Sequence, residues 1–195
     1  MKNLIIVLLL TTTILSCKND TKKTDKNDQH KHVDVTKKDE KPKKKILSPH
    51  TSTMAMIGDA HVHIDYSSPG VRGRIIFGGL LGHDQVWQAG AHKATWIETN
   101  KDLTIAGKEL KAGKYGVFMI PSKGEWTIIF NTTWDQHGKD DYDEKDDVLR
   151  FKVTPKVLAE IQEHLEYKVT KTNNTAGSIR MSWEKISIEF LFNLN

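Results

Sequence analysis

Thr53-Met54-Ala55-Met56-Ile57-Gly58-Asp59-Ala60-His61-Val62-His63-Ile64 is the stretch that decides the fold. Two alternating runs, Ser52 to Ile57 and Ala60 to Tyr66, flank Gly58-Asp59, a pair suited to a two-residue hairpin loop. With that loop Ile57 pairs with Ala60, and the register follows outward: Met56 opposite His61, Ala55 opposite Val62, Met54 opposite His63. Side chains alternate along a strand, so Met54, Met56, His61 and His63 share one face. Thr53, Ala55, Ile57, Val62 and Ile64 share the other, which reads as the core side.

The same texture continues to the end of the chain. Thr95 to Thr99, Leu103 to Ile105, Lys108 to Leu110, Tyr115 to Ile120 and Trp126 to Asn131 are short apolar-alternating runs between turn residues. Val148 to Val153, Leu165 to Thr170, Ile179 to Trp183 and Ile186 to Phe192 follow. Nine or ten such strands at short intervals predict an all-β fold, an antiparallel sandwich. One stretch breaks the pattern. Thr154-Pro155 followed by Val157, Leu158, Ile161 and Leu165 reads as a capped amphipathic helix over 155–164, with an irregular crossing between sheets as the alternative.

The N-terminus has a different character. Met1-Lys2-Asn3, the apolar run Leu4 to Leu10, and a small residue before Cys17 make a secretory signal over residues 1–16. The run is too short to span a bilayer, which takes about 20 apolar residues. Ile14-Leu15-Ser16-Cys17 also resembles the lipobox of bacterial lipoproteins, which implies an acylated Cys17 as the new N-terminus and palmitate as one of its acyl groups. Residues 17–47 then read as a disordered charged tether and 48–195 as a single domain. The expected location is the envelope of a Gram-negative cell, on the outer membrane, with the lipid as membrane partner. Cys17 is the chain's one cysteine, so the domain must hold together without disulfides.

Charge divides along the same line. Residues 18–47 carry eleven lysines against six Asp and Glu, a net of +5, whereas 48–195 carry 17 Lys and Arg against 19 Asp and Glu, a net of −2. The basic pI therefore belongs to the tether. A nucleic-acid binder would carry its positive patch on the folded domain, so nucleic acid is not an expected partner.

The Met/His face is the most chemically suggestive feature. Opposed Cβ atoms lie about 5 Å apart, so two imidazoles and two thioethers could converge on one ion. Imidazole suits copper and zinc, while thioether selects Cu(I). The expectation is a binding module for copper or zinc, with His61 and His63 as first ligands, Met54 and Met56 beside them, and His92 or His137 completing the set. A small ligand and a protein partner stay open. A structural or interaction lipoprotein with incidental histidines is one alternative, and a metal-dependent hydrolase is another. Asp59-Ala60-His61-Val62-His63 resembles the Asp-x-His-x-His strand of metal-dependent amidohydrolases, but their barrel takes typically 250 residues and intervening helices.

Elsewhere no enzyme motif stands out, and no catalytic residue is assigned. No Gly-x-Ser-x-Gly elbow is present. The carboxylates from Asp140 to Asp147 lack the EF-hand pattern and read as a solvated loop. Five tryptophans offer a stacking platform or a filled core; Trp126 and Trp183 follow the core parity of their strands.

A family resemblance covers nearly all of residues 48–185. Ile64-Asp65-Tyr66-Ser67-Ser68-Pro69-Gly70-Val71-Arg72-Gly73-Arg74, Ile76-Phe77-Gly78-Gly79-Leu80 and Val86-Trp87-Gln88-Ala89-Gly90-Ala91 come in order. Leu110-Lys111-Ala112-Gly113-Lys114-Tyr115, Glu125-Trp126-Thr127 and Asp147-Val148-Leu149-Arg150 follow. These resemble the domain of unknown function 2911 family of bacterial secreted domains, often lipoproteins. The resemblance implies a compact β-rich envelope domain and no particular activity. Asn stands in that family where this chain has His92, and apolar residues or Thr stand near His61 and His63, which points to a histidine-rich subgroup.

Overall fold

Strands β1 (His50–Ile57) and β2 (Ala60–Ser67) pair in the register that the loop dictates, from Ile57 opposite Ala60 to His50 opposite Ser67. Gly58 takes φ +57°, the sign that a II′ turn needs at its first central residue. The computed structural model describes residues 46–195. The expected signal segment 1–16, Cys17 and the tether as far as residue 45 lie outside the described residues.

Eight further strands complete the fold: β3 (Thr95–Thr99), β4 (Leu103–Ile105), β5 (Lys108–Leu110), β6 (Gly113–Ile120), β7 (Trp126–Asn131), β8 (Asp147–Val153), β9 (Lys156–Lys171) and β10 (Ala176–Leu194). They form a six-stranded sheet, β1-β2-β3-β6-β7-β8, and a four-stranded sheet, β5-β4-β10-β9, with every pairing antiparallel. The fold is an all-β sandwich. β10 folds back at Glu184, which takes φ +55°. Beyond that corner Ser182 Oγ meets Ser187 Oγ at 3.1 Å, and the Leu194 N–H returns to Thr175 O at 2.8 Å. The two runs Ile179 to Trp183 and Ile186 to Phe192 are thus neighbouring arms of one continuous element.

The core lies between the sheets. Ile57, Val62 and Ile64 from the hairpin, Trp126 and Phe130 from β7, and Trp183 and Phe192 from β10 are each at most 2% exposed. Trp126 and Trp183 therefore face inward, as their strand parity requires. The segment Ser68–Ala94 contains no named strand and wraps one end, where Phe77 packs 4.7 Å from Trp126 and 5.9 Å from Trp183, centroid to centroid.

The expected helix over 155–164 is not formed; Lys156–Lys171 is one extended strand. Leu165 is buried, while Val157 and Ile161 are 78% and 55% exposed, so the residues at helical spacing do not share a buried face. The β-branched Val157 and Ile161 favour extended backbone. Ladder pairs Val157–Ile186 and Gln162–Glu184 then hold the segment beside β10, where cross-strand pairing outweighs a marginal ten-residue helix. Between those pairs β9 supplies four residues against one from β10, so its chain bulges outward.

Candidate metal-binding face

The outer face of the six-stranded sheet carries the candidate site. Met54 and Met56 are 59% and 49% exposed, and His61 and His63 are half-buried beside them. Residues that flank a two-residue loop exchange hydrogen bonds, so Ile57–Ala60 is a bonded pair, and Met56–His61 and Met54–His63 are non-bonded ones. The backbone supports this alternation. The His61 N–H points away from β1 and donates to Asn100 Oδ1 at 2.7 Å. Cβ atoms approach more closely in non-bonded pairs, so each methionine stands nearer its facing histidine than it would in a bonded pair.

The two imidazole centroids lie 5.9 Å apart with planes at 45°. A ring bound through one nitrogen puts its centroid about 3 Å from a copper- or zinc-sized ion. Two rings 5.9 Å apart can therefore share one ion between them. Across the next strand His63 faces Glu98, which in turn faces Lys114, so one row of the sheet reads Met54, His63, Glu98, Lys114. At the loop the Lys101 ammonium lies 2.6 Å from Asp59 and holds its carboxyl below the usual carboxylate range.

His92 and His137 occupy another part of the fold. The Gly138 N–H donates to His92 O at 2.7 Å, and His137 pairs with Lys93 in a single β-bridge. Both side chains are exposed, and the His137 imidazole turns to Asp140 at 3.2 Å. Among the described residues, no group of three or more His, Cys, Asp and Glu side chains is placed to hold a metal ion. His61 and His63 thus share their face with Met54 and Met56, and His92 and His137 are not part of it.

Three features went unread in the sequence. Trp96 stands on this outer face with its ring edge-on to His63, 5.1 Å away. The Lys114 ammonium lies 3.4 Å from the centroid of Trp96 and 3.8 Å from that of Trp134. Gly116 lets the Thr133–Trp134 backbone approach, since a Cβ there would stand 3.2 Å from Thr133 O. The third feature is Asp147, whose carboxylate accepts from Asn131 at 2.8 Å and Tyr142 at 3.0 Å and pairs with Arg150 at 3.3 Å. It lies inside the acidic stretch that read as a solvated loop, and burial pushes its carboxyl upward in spite of those partners. The alternation of β3 could have placed Trp96 on the Met/His side; the family stretch Asp147-Val148-Leu149-Arg150 sets Asp147 apart from its neighbouring carboxylates without giving its partners.

No curated protein and no solved structure matches the chain. A sequence profile of a family described as protein of unknown function (DUF2911) matches residues 48–192. That span runs from just before β1 into the returning arm of β10 and takes in both sheets, so the chain belongs to the DUF2911 family.

Proposed function

We propose that this protein is a lipid-anchored envelope module whose sandwich binds a soft transition-metal ion through Met54, Met56, His61 and His63, with Cu(I) the best match. The observation that carries the reading is the β1–β2 register, which sets Met54 against His63 and Met56 against His61 on an outward face. Two imidazoles and two thioethers form a soft, neutral donor set, which favours a monovalent soft ion over zinc or calcium. Anchoring rests on the signal and lipobox-like order ending at Cys17.

Titration of Cu(I), held in a competing chelator under anaerobic conditions, tests the metal reading. Residues 17–195 carrying Cys17→Ser should bind one ion, and Met54→Leu with Met56→Leu, or His61→Asn with His63→Asn, should weaken binding at least tenfold. A His30→Asn, His32→Asn control removes the two tether histidines. Equal affinity in the parent and both double variants would sink the proposal. Metabolic labelling with a radioactive fatty acid tests the anchor: label that persists in a Cys17→Ser chain rules out acylation at that thiol.

A further inference from the structure

The end of the sandwich at which the chain enters gathers exposed apolar side chains. Ten large hydrophobic side chains are exposed among the described residues. Two are Met54 and Met56, and two more, Val148 and Leu191, lie on β8 and β10. The other six are Ile46, Leu47, Ile75, Leu80, Val157 and Ile161, at 52% to 78% exposure.

Strand directions place these six at one end. β1 starts at His50 and runs to the Gly58 turn, so Ile46 and Leu47 lie at the end opposite the Gly58-Asp59 loop. Pro49 and His50 line one groove with Gln162 and His164, which puts the outward bulge of β9, and Ile161 with it, beside the entering chain. The Ser68–Ala94 segment joins there: the Val71 N–H donates to Glu163 O at 2.7 Å, and the Ile76 N–H to Glu184 at 3.3 Å. The Leu80 N–H closes a turn on Ile75 O at 3.0 Å. Val157 faces Ile186, just past the corner of β10.

From this placement we infer that the end carrying Ile75, Leu80, Val157 and Ile161 docks on the bilayer, so that the Gly58-Asp59 loop faces away from it. The inference rests on the anchored reading of Cys17, because an attached lipid holds the chain's entry point near a membrane. The occupant is lipid on three grounds. The chain joins the domain at this end. Ile46 and Leu47, the last residues before the fold, extend the apolar set. The +5 tether before them supplies the charge that an anionic leaflet attracts. Around the end itself Arg72, Lys123 and Lys156 alternate with Glu125, Glu160 and Glu163, so apolar contact is what the end adds.

Residues 46–195 lie in one compact unit with its own core, so the Cys17→Ser chain of residues 17–195 can be tested without its lipid. Co-sedimentation with vesicles of zwitterionic lipid, and of the same lipid with a quarter phosphatidylglycerol, gives the partition coefficient. Ile75→Ser, Val157→Ser and Ile161→Ser together should lower it about tenfold on both vesicles, and the loss should persist in high salt, which screens the tether. Met54→Ser with Met56→Ser, on the outer sheet face, should leave it unchanged. The inference fails if the triple variant partitions like the parent, or if the two substitution sets act equally. It fails too if the parent is a dimer in solution that the triple change dissolves, since a second copy would then cover that end. Acylation plays no part in this assay, so a negative result leaves the anchor standing, and failed acylation leaves the vesicle result standing.

Discussion

One sheet face has two halves with opposite fates. Over β6 and β7 the outer side chains Phe118 and Ile129 are fully buried, forming with Ala94 a second small core under the Val86 and Tyr142 loops. Over β1 and β2 the outer side chains include Met54, Met56, His61 and His63, with the His50–Asp65 pair beyond them, and they meet solvent. The roofed half accounts for its composition by packing: aromatic and β-branched residues lie where a loop covers them. The open half is less packed: His63 meets the Trp96 ring, while Met54 and Met56 stay about half-exposed. Stability should therefore reside in the first half, and the proposed metal binding would fall to the second.

The largest expected effect tests the roofed half. Phe118 is fully buried and packs 4.8 Å from the Tyr142 ring, so Phe118→Ala should cost about 3–5 kcal/mol in urea unfolding. That is a large part of the roughly 5–15 kcal/mol available to a domain. Met54→Ala and Met56→Ala should each stay within about 0.5 kcal/mol, as exposed positions do. If both halves respond alike, the division between them is wrong.

A second effect, smaller and confined to alkaline pH, tests what pins the roof. All four tyrosines, Tyr66, Tyr115, Tyr142 and Tyr167, have their pKa raised in the fold, chiefly by burial. At neutral pH both folded and unfolded chains keep these protons. Above about pH 10 the unfolded chain loses them first, so the folded state binds more protons and stability falls as pH rises. The absorbance of tyrosinate should stay flat past pH 10 and then rise together with unfolding. Tyr142→Phe, which deletes the donor to Asp147, should cost about 1 kcal/mol at neutral pH and reduce the alkaline loss. An ordinary tyrosine titration without unfolding would contradict the buried, hydrogen-bonded roof.

The two halves also differ in how far the sequence revealed them. The hairpin was readable because Gly58-Asp59 fixes a loop length, loop length fixes register, and alternation then sorts every side chain to a face. Ala106-Gly107 acts likewise between β4 and β5, with positive φ at both residues. The segment 155–164 was not readable, because Val157, Leu158, Ile161 and Leu165 satisfy a helical period while their partners on β10 are remote in sequence. The roof was hidden for a related reason. Asp147 differs from Asp140 or Asp143 only in meeting Asn131, Tyr142 and Arg150, and no local spacing encodes that meeting. Of the candidate site the shared face was legible: His61 and His63 stand with the methionines, whereas His92 and His137 lie elsewhere, beside the roof.

The seam between the halves should give the smallest effect and the sharpest test. Lys114 lies between Trp96, on the open side, and Trp134, on the roof loop, with its ammonium within 3.8 Å of both ring centroids. The row Met54, His63, Glu98, Lys114 ends there, so Lys114 is the last side chain before the roof. Lys114→Met keeps the aliphatic stem between the rings and removes only the charge. It should cost about 0.5–1 kcal/mol, the size of a partly exposed cation–π contact, and shift tryptophan fluorescence as the two indoles change neighbours. Because Trp96 also packs against the ring of His63, the same variant should leave the β1–β2 register in place while loosening the His63 side chain. Cu(I) affinity should then fall by less than it does on removing either histidine. A loss of several kcal/mol would make Lys114 part of the roof rather than its boundary, and unchanged fluorescence would mean that the charge does not set the environment of the two rings.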